Sequence, residues 1–263
     1  MSRPDLSAAL ALHFASAPYA NQLPLAHFIP MVAPGARLHQ VDCPSVVLAQ
    51  LESGAADAVL LPVVELARHP ELTLIEGLGV CAERKVRSVL LKCRVPRREV
   101  RTVEVDPASL TSNALVRVLF EHHWRQAVRF VEPGVMPAPD AAVMIGDRAL
   151  CAQAAGGDID LAAAWYELTS LPFVFAVWVH RRGHAHAEAL ARIAQAAKER
   201  GVAELPQLAG LVARRLGLDR DVCLDYLTTC IYFDVGNPER EAMRLFWKMA
   251  ADTRWTDGSG VQE

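Results

Sequence analysis

The sequence lacks a long apolar run and any strong excess of charge. Its apolar stretches all fall short of the roughly 20 residues that span a membrane as a helix. The formal net charge is −3 over 263 residues, which gives no general attraction to nucleic acid or to an anionic lipid surface. We therefore expect no membrane and no nucleic acid among its partners. Any bound anion must be held by local geometry.

Paired metal-binding residues are absent as well. The six cysteines are scattered without a C-x-x-C pair, which argues against a zinc knuckle or a thioredoxin-type motif. Most have apolar neighbours, as reduced thiols of cytosolic proteins do. We predict a cytoplasmic protein with no metal and no other cofactor. In the one histidine cluster, HRRGHAHAEAL, only His184 and Glu188 would share a helix face, so a solvated helix start explains it better than a metal site.

The N-terminus, MSRPDLSAALALHFASAPYA, has two interpretations. Arg3, a short apolar run and the segment Ala15–Ala17 imitate a secretory signal with its cleavage site. Asp5 and His13 interrupt that pattern, and apolar residues alternate with smaller ones as in a strand. We predict a first strand here. Cleavage after Ala17 would instead favour a secreted transport receptor.

Residues 101–124, RTVEVDPASLTSNALVRVLFEHHW, combine a strand and a helix with polar side chains between them. Alternation predicts a strand over Thr102–Asp106 that Pro107 ends, and helical spacing of apolar residues begins at Ala114. A helix start presents unpaired N–H groups and a partial positive charge, which suit a carboxylate or a phosphate. Capping needs only one polar side chain. An anion site, or a capped helix with spare hydroxyls, would therefore account for Ser109, Thr111, Ser112 and Asn113.

Alternating strands and helices indicate an α/β fold with a helical C-terminal part. Besides the two strands above, we predict strands over Arg37–Val41, Ala58–Val64, Leu72–Ala82, Ser88–Val95, Ala127–Val131, Ala141–Ile145 and Leu171–Val179. Ser45 is predicted to cap a helix over Val46–Ser53. The C-terminal helices are predicted over Ala185–Arg200, Leu205–Leu216, Arg220–Tyr232 and Glu239–Asp252, with Gly201, Gly217 and Gly236 as C-caps. The tail from Thr253 is predicted to be disordered.

The strand–helix pattern begins twice, which predicts two lobes. Pro96 and the charged run Arg97–Glu99 mark a composition shift, and Leu171–Val179 is interpreted as the return. We therefore predict crossings near residues 92–96 and 171–179. Lobe I would comprise residues 1–92 and 179–263, and lobe II residues 93–178. The expected architecture is a clam-shell.

Loops at the carboxyl ends of the strands should line the cleft of this clam-shell. Asn21 and Ser45 would come from one lobe and Ser109–Ser112 from the other, with Ser88 near the hinge. Uncharged hydrogen-bond donors that converge from two lobes suit a small anionic molecule.

Six segments, in order along nearly the whole chain, resemble the MqnA family, the chorismate dehydratases of the futalosine route to menaquinone. They are YANQLP (19–24), VRSVLL (86–91), SLTSNAL (109–115), MIGDRAL (144–150), WYELTSLPFVFAVW (165–178) and YLTTCIYFD (226–234). No single segment is specific, but six in register are. The resemblance implies a fold similar to type 2 periplasmic binding proteins, in agreement with the predicted clam-shell.

The resemblance implies loss of water from chorismate to give 3-[(1-carboxyvinyl)oxy]benzoate. From the cleft argument and the matched segments together, we expect Asn21 to be catalytic. The expected substrate-binding residues are Tyr19, Ser45, Arg87, Ser88, Ser109, Thr111, Ser112 and Gly146. The matched segments contain no obvious His or Glu base, so the substrate's own enolpyruvyl carboxylate is the hypothesised base.

Alternatives from other classes stay open. The 1,4-dihydroxy-6-naphthoate synthases, a sister family with the same fold, typically carry a catalytic histidine after the strand that ends here at Ile145. Gly146 and Asp147 follow instead, which counts against that activity. A solute-binding protein for a small carboxylate would need no chemistry, and an effector-binding domain is a third class. The expected partner is the small-molecule substrate chorismate, with a homodimer left open.

Overall fold

The computed structural model describes residues 11–253, and predictions for the first ten residues and the tail after Thr253 lie outside that range. The strands are β1 His13–Ser16, β2 Arg37–Gln40, β3 Ala58–Pro62, β4 Leu72–Ala82, β5 Val89–Cys93, β6 Thr102–Glu104, β7 Arg129–Val131, β8 Ala141–Ile145, β9 Ile159–Asp160, β10 Phe173–Arg181 and β11 Tyr232–Asp234. The helices are α1 Leu23–Ala26, α2 Ile29–Val32, α3 Leu48–Glu52, α4 Val63–Leu66, α5 Leu110–Val118, α6 Gly146–Ala152, α7 Leu161–Thr169, α8 Ala187–Ala203, α9 Leu205–Leu216, α10 Arg220–Asp225 and α11 Asn237–Asp252. None of the helices between residues 11 and 253 is both long and apolar enough to span a bilayer.

The strands form two separate sheets, which confirms the predicted two-lobed α/β fold. The first sheet has the order β11-β4-β10-β3-β1-β2, and the second has the order β7-β6-β8-β5-β9. Each sheet has a parallel part, β2-β1-β3 in the first and β7-β6-β8 in the second. An antiparallel strand that arrives from the other lobe, β10 or β5, pairs with that part. β3 is buried along its whole length, as expected of a strand that is covered on both faces.

The first crossing does not lie where composition predicted it, and the second lies at the start of the predicted range 171–179. β5 pairs with β8 from Val89–Ile145 to Cys93–Ala141, so residues 89–92 belong to the second sheet and not to the first. All of β10 pairs within the first sheet, which removes residues 173–178 from the predicted lobe II. The chain therefore crosses just before Val89 and just before Phe173. The run Arg97–Glu99 misled the prediction because it forms a 3₁₀ turn inside the second lobe.

A single carboxylate holds the first crossing. Asp160 Oδ2 accepts hydrogen bonds from the backbone N–H groups of Val86 at 3.0 Å and Arg87 at 2.7 Å. Its Oδ1 accepts from the N–H groups of Ala162 and Ala163, both at 3.1 Å, and so caps α7. Arg87 has a left-handed backbone with φ of 61°. The crossing is thus tied to the first turn of a helix in the second lobe.

Aromatic side chains pack the second lobe against the first. Trp165 of α7 is fully buried, and its ring lies 5.4 Å from Phe173 of β10 and 5.9 Å from Phe246 of α11. The Trp165 indole N–H donates to the carbonyl of Pro172 at 3.0 Å. The prediction that the C-terminal aromatic residues belong to the core agrees with the burial of Tyr226, Phe233 and Phe246.

The C-terminal helices are placed as predicted, with two corrections to their glycines. α9 has the predicted bounds, and Gly217 ends it with φ of 67°. α8 continues past Gly201, so that predicted cap is wrong. Gly201 lies against α1 instead, where an added Cβ would come within 2.0 Å of the Pro24 carbonyl oxygen. Gly236 is also not a C-cap, because it precedes α11 and its N–H binds the Glu239 carboxylate at 2.7 Å.

Two segments adopt a different secondary structure from the predicted one. Tyr232 was predicted to be the last residue of a helix, but it begins the edge strand β11 beside β4. Ser45 was predicted to cap a helix, but its hydroxyl contacts the Cys43 thiol at 3.1 Å and caps nothing. A 3₁₀ turn over Pro44–Val46 occupies the predicted helix start.

The contact between α8 and α1 gives a test of the packing. We expect Gly201→Ala to lower the free energy of unfolding by about 1–3 kcal/mol, the usual cost of overpacking a core. Gly210→Ala in α9 is the matched control, because an added Cβ there meets only the Arg214 and Arg220 side chains at 3.7 and 3.8 Å. This control should gain up to about 1 kcal/mol from helix propensity. Urea denaturation measures both, and equal stability of the two variants would contradict the close packing.

Candidate active site

A narrow cavity lies between the lobes, at the carboxyl ends of β1, β3 and β8. Its free volume is about 40 Å³, room for a few water molecules, so a ring-sized ligand enters only when the lobes part. Both lobes contribute to the lining, which consists of Tyr19, Asn21, Gln22, Pro44, Pro62, Val80, Val89, Ser109, Thr111, Ser112, Ile145, Gly146, Phe175 and Ala176. A wider hollow of about 480 Å³ beside Phe120 and Phe130 contains none of the predicted site residues.

Asn21 has an unpaired amide at this cavity. Its Oδ1 is buried and has no hydrogen-bond partner within residues 11–253. The neighbouring Gln22 is different, because its Oε1 accepts from the Ala17 N–H at 2.9 Å and so holds the loop after β1. Buried polar atoms are almost always paired in folded proteins. The Asn21 amide is therefore available to a ligand, as its predicted catalytic role requires.

The polar residues at the start of α5 have separate tasks. Ser109 is the N-cap, and its hydroxyl accepts from the Ser112 N–H at 3.2 Å. Asn113 closes the preceding loop, with its Oδ1 accepting from the Asp106 N–H at 3.0 Å and its Nδ2 donating to the Asp106 carbonyl at 2.8 Å. Thr111 Oγ1 donates to the Phe175 carbonyl of the first lobe at 3.3 Å.

Ser112 has the one hydroxyl of this group that lines the cavity without a hydrogen-bond partner in the described part of the chain. It lies in the first turn of α5, where the backbone N–H groups and the helix dipole favour a negative charge. The two interpretations of this segment, a helix cap and an anion site, therefore apply to different residues. Ser109 caps α5, and the Ser112 hydroxyl is available to an anion.

Tyr19 and Gly146 face each other across the cleft. Gly146 has φ of 62°, and an added Cβ would come within 2.9 Å of the Tyr19 ring. The Gly146 N–H donates to the Ser88 carbonyl at 2.8 Å, which joins the start of α6 to the crossing. Burial, assisted by the negative charge of Asp106, raises the pKa of the Tyr19 phenol. The Tyr19 side chain therefore lines the cavity as an uncharged group.

Three predicted binding residues lie outside the lining. Ser45 contacts Cys43, and its neighbour Pro44 reaches the cavity instead. Arg87 Nη1 pairs with Asp225 at 2.6 Å on the other side of the crossing. The buried Ser88 hydroxyl is hydrogen-bonded to the Tyr226 hydroxyl at 2.7 Å. The partners of Arg87 and Ser88 come from distant parts of the chain, so the local sequence carried no signal of them.

Sequence reasoning also missed part of the lining. Pro62 and Ile145 are the last residues of buried strands, a position that could have identified them. Phe175 had no such signal, because its segment was assigned to a crossing. Tyr19 is the one ionisable side chain in the lining, and no Asp, Glu, His, Lys or Arg of the described range joins it.

Two α/β lobes around a cleft define the class of periplasmic-binding-protein-like folds. A solved protein of Archaeoglobus fulgidus is similar over 95% of this chain and 98% of that one, with a TM-score of 0.71 and 15% identity. The periplasmic aliphatic sulphonate binding protein of Escherichia coli is similar over 91% and 85%, with a TM-score of 0.63 and 16% identity. Likenesses at this identity concern the fold alone.

The sequence comparisons go further than the fold. A model of the menaquinone biosynthesis family matches residues 12–252, so the chain belongs to that family. A chorismate dehydratase of Thermus thermophilus is 30% identical over 87% of this chain and 91% of its own. One from Campylobacter jejuni is 36% identical over 46% of this chain and 43% of its own. The predicted family membership is confirmed.

Replacing the two serines of α5 should separate their tasks. Ser109→Ala removes the N-cap, and we expect the free energy of unfolding to fall by about 1 kcal/mol. Ser112→Ala removes a hydroxyl that lacks a partner, so stability should be unchanged or slightly higher. Thermal and urea unfolding of both variants measure this. A larger loss for Ser112→Ala than for Ser109→Ala would contradict the assignment.

Proposed function

We propose that this chain is a chorismate dehydratase, which eliminates water from chorismate to give 3-[(1-carboxyvinyl)oxy]benzoate on the futalosine route to menaquinone. The names of its relatives and the match to the menaquinone biosynthesis family support this proposal. The observation that carries it is the unpaired Asn21 amide at a cavity between two lobes. We also propose a cytoplasmic location, supported by the free cysteines.

The reaction needs little beyond positioning. The carbon that bears the ether oxygen loses its proton, and the electron pair is delocalised over the diene and the ring carboxylate. That pair then forms a ring π bond as the hydroxyl leaves the neighbouring carbon. The ring becomes aromatic, which is a large driving force. The protein must orient the ring and both carboxylates and exclude bulk water.

The cavity suits a base that belongs to the substrate. Tyr19 is the one ionisable group of the lining, and its raised pKa keeps the phenol protonated near neutral pH. We assign the proton to the enolpyruvyl carboxylate of the substrate. The proton then joins the departing hydroxide to form water, so atoms and charge balance without a side-chain base.

Asn21 and the start of α5 have complementary roles in this scheme. The Asn21 Nδ2–H donates a hydrogen bond to the departing hydroxyl oxygen and stabilises the negative charge that develops on it. The Ser112 hydroxyl and the first-turn N–H groups of α5 bind a substrate carboxylate. The lining brings no cation to the substrate. The two negative charges of the substrate are therefore stabilised by dipoles, which are most effective in a site without water.

The sister synthase activity has less support. The position after β8 that carries its catalytic histidine is occupied by Gly146 and Asp147, and the Asp147 carboxylate is already bound to the Ala20 N–H at 2.9 Å. A solute-binding protein would have the same fold without turnover. The decisive experiment is incubation of the purified protein with chorismate, with detection of an aromatic product by its ultraviolet spectrum and mass.

Asn21→Ala should lower kcat by about a hundredfold or more, the scale for loss of one transition-state hydrogen bond. Stability should change little because Asn21 Oδ1 has no hydrogen-bond partner to lose in the described part of the chain. Gln22→Ala is the adjacent control: it loses the bond to Ala17, so it should lower the melting temperature. Steady-state kinetics and melting curves of both variants test this. An Asn21→Ala variant that retains wild-type kcat, or that unfolds, would overturn the catalytic role.

Ser112→Ala should weaken binding of the dicarboxylate product by about 1.5–3 kcal/mol, the value of a hydrogen bond to a charged group. The measurement is calorimetric titration with the product and with each of its two monoesters. The loss should disappear for the monoester that masks the carboxylate at α5. Equal losses for all three ligands would show that the carboxylate lies elsewhere.

A further inference from the structure

Asp147 of α6 makes two hydrogen bonds across the cleft. Its Oδ1 accepts from the backbone N–H of Ala20 at 2.9 Å, and its Oδ2 accepts from Arg215 Nη2 at 2.6 Å. Asp147 follows β8 of the second lobe, whereas Ala20 and Arg215 belong to the first. The Asp147 side chain is 19% exposed and that of Arg215 is 32% exposed, so solvent screens this pair only in part.

Both bonds act on the loop that carries Asn21. Arg215 Nη1 also donates to the carbonyl of Pro18, three residues before Asn21. The loop is therefore held at Pro18 by Arg215 and at Ala20 by Asp147, while Arg215 and Asp147 hold each other. The Asn21 Oδ1 itself has no hydrogen-bond partner within residues 11–253 that would set its position.

The next residue of α6 holds the other side of the cavity. Arg148 Nη2 pairs with Asp106 Oδ2 at 2.6 Å, and the Asp106 side chain is 1% exposed. Asp106 Oδ1 accepts from the Ala108 N–H at 3.0 Å, in the loop before the Ser109 cap. Consecutive residues of one helix thus fix the loop of Asn21 in one lobe and the start of α5 in the other.

We propose that Asp147 is a positioning residue for the reaction: with Arg215 it forms an interlobe latch that keeps the cleft closed and places the Asn21 amide against the substrate. The role of Asp147 in catalysis rests on the proposed function, whereas its role in keeping the cleft closed rests on the interlobe bonds alone. Besides the latch, the Thr111 hydroxyl crosses the cleft through longer bonds, 3.3 Å to the Phe175 carbonyl and 3.4 Å from the Val64 N–H.

Turnover tests the positioning. Asp147→Ala should lower kcat by about ten- to a hundredfold, the effect of a displacement of about 1 Å in a reacting geometry. Asp147→Asn should lie between this variant and wild type, because its amide oxygen still accepts from Ala20 but carries no charge for Arg215. Arg215→Ala should also lower kcat. Arg214→Ala is the matched control from the same helix turn and should keep wild-type kcat.

A double-mutant cycle separates positioning from a merely structural role. If Asp147 acts through Asn21, then Asp147→Ala should change kcat less than about twofold once Asn21 is already Ala, because coupled residues are not additive. If the two losses of kcat multiply in full, positioning through Asn21 is overturned.

Closure of the cleft is measured independently of substrate turnover, by small-angle X-ray scattering of the ligand-free protein. Asp147→Asn and Arg215→Ala should increase the radius of gyration, and Arg214→Ala should not. An unchanged radius in both latch variants overturns the latch whatever the kinetics show. If wild-type protein does not dehydrate chorismate while the latch variants still open, the proposed function fails and the latch stands. Should Asp147→Ala not fold, Asp147→Asn and Arg215→Ala decide the outcome.

Discussion

The arrangement of the two lobes depends on the Asp160 carboxylate. Residues between two sheets cannot use either ladder for their backbone N–H groups, so those groups need another acceptor. Asp160 accepts from two of them and from two N–H groups of α7. This sets where β5 begins and therefore its register with β8. The end of β8 in turn places Gly146 and Asp147 at the cleft.

The cavity that results from this arrangement has mainly apolar walls, with a few uncharged hydrogen-bonding groups among them. Its hydrogen-bonding groups are amides, hydroxyls and the first turn of a helix, and both lobes contribute to it. Such dipoles are held rigid by the fold, so they need no reorganisation when charge moves in a bound molecule. Under the proposed function, the lobes would open to admit a ring-sized dianion and close to exclude water from it. One helix, α6, is bound to the loop of Asn21 across the cleft through the Asp147 carboxylate.

Local patterns predicted most of the elements. β4, β8 and α9 have their predicted bounds, because each is a regular apolar pattern closed by a turn or a glycine. No helix was predicted over Leu161–Leu168, yet this segment forms most of α7. β11 was not predicted as a strand, and its first residue was assigned to a helix, because an edge strand of three residues is recognisable only by its pairing with β4.

The sequence by itself determined the two-lobed α/β class, the family, and a polar helix start and Asn21 loop at strand ends. Periodicity, strand ends and matched segments are all local properties, which is why they suffice for this. Only the tertiary structure decided the two crossings, the separate tasks of Ser109 and Ser112, and the exclusion of Ser45, Arg87 and Ser88 from the cavity lining. The tasks of Ser109 and Ser112 and the exclusion of Ser45 depend on where the fold places the cavity. The crossings and the positions of Arg87 and Ser88 depend on which distant atom a strand or side chain pairs with. Such partners, as with Ser88 and Tyr226, become neighbours only when the chain folds.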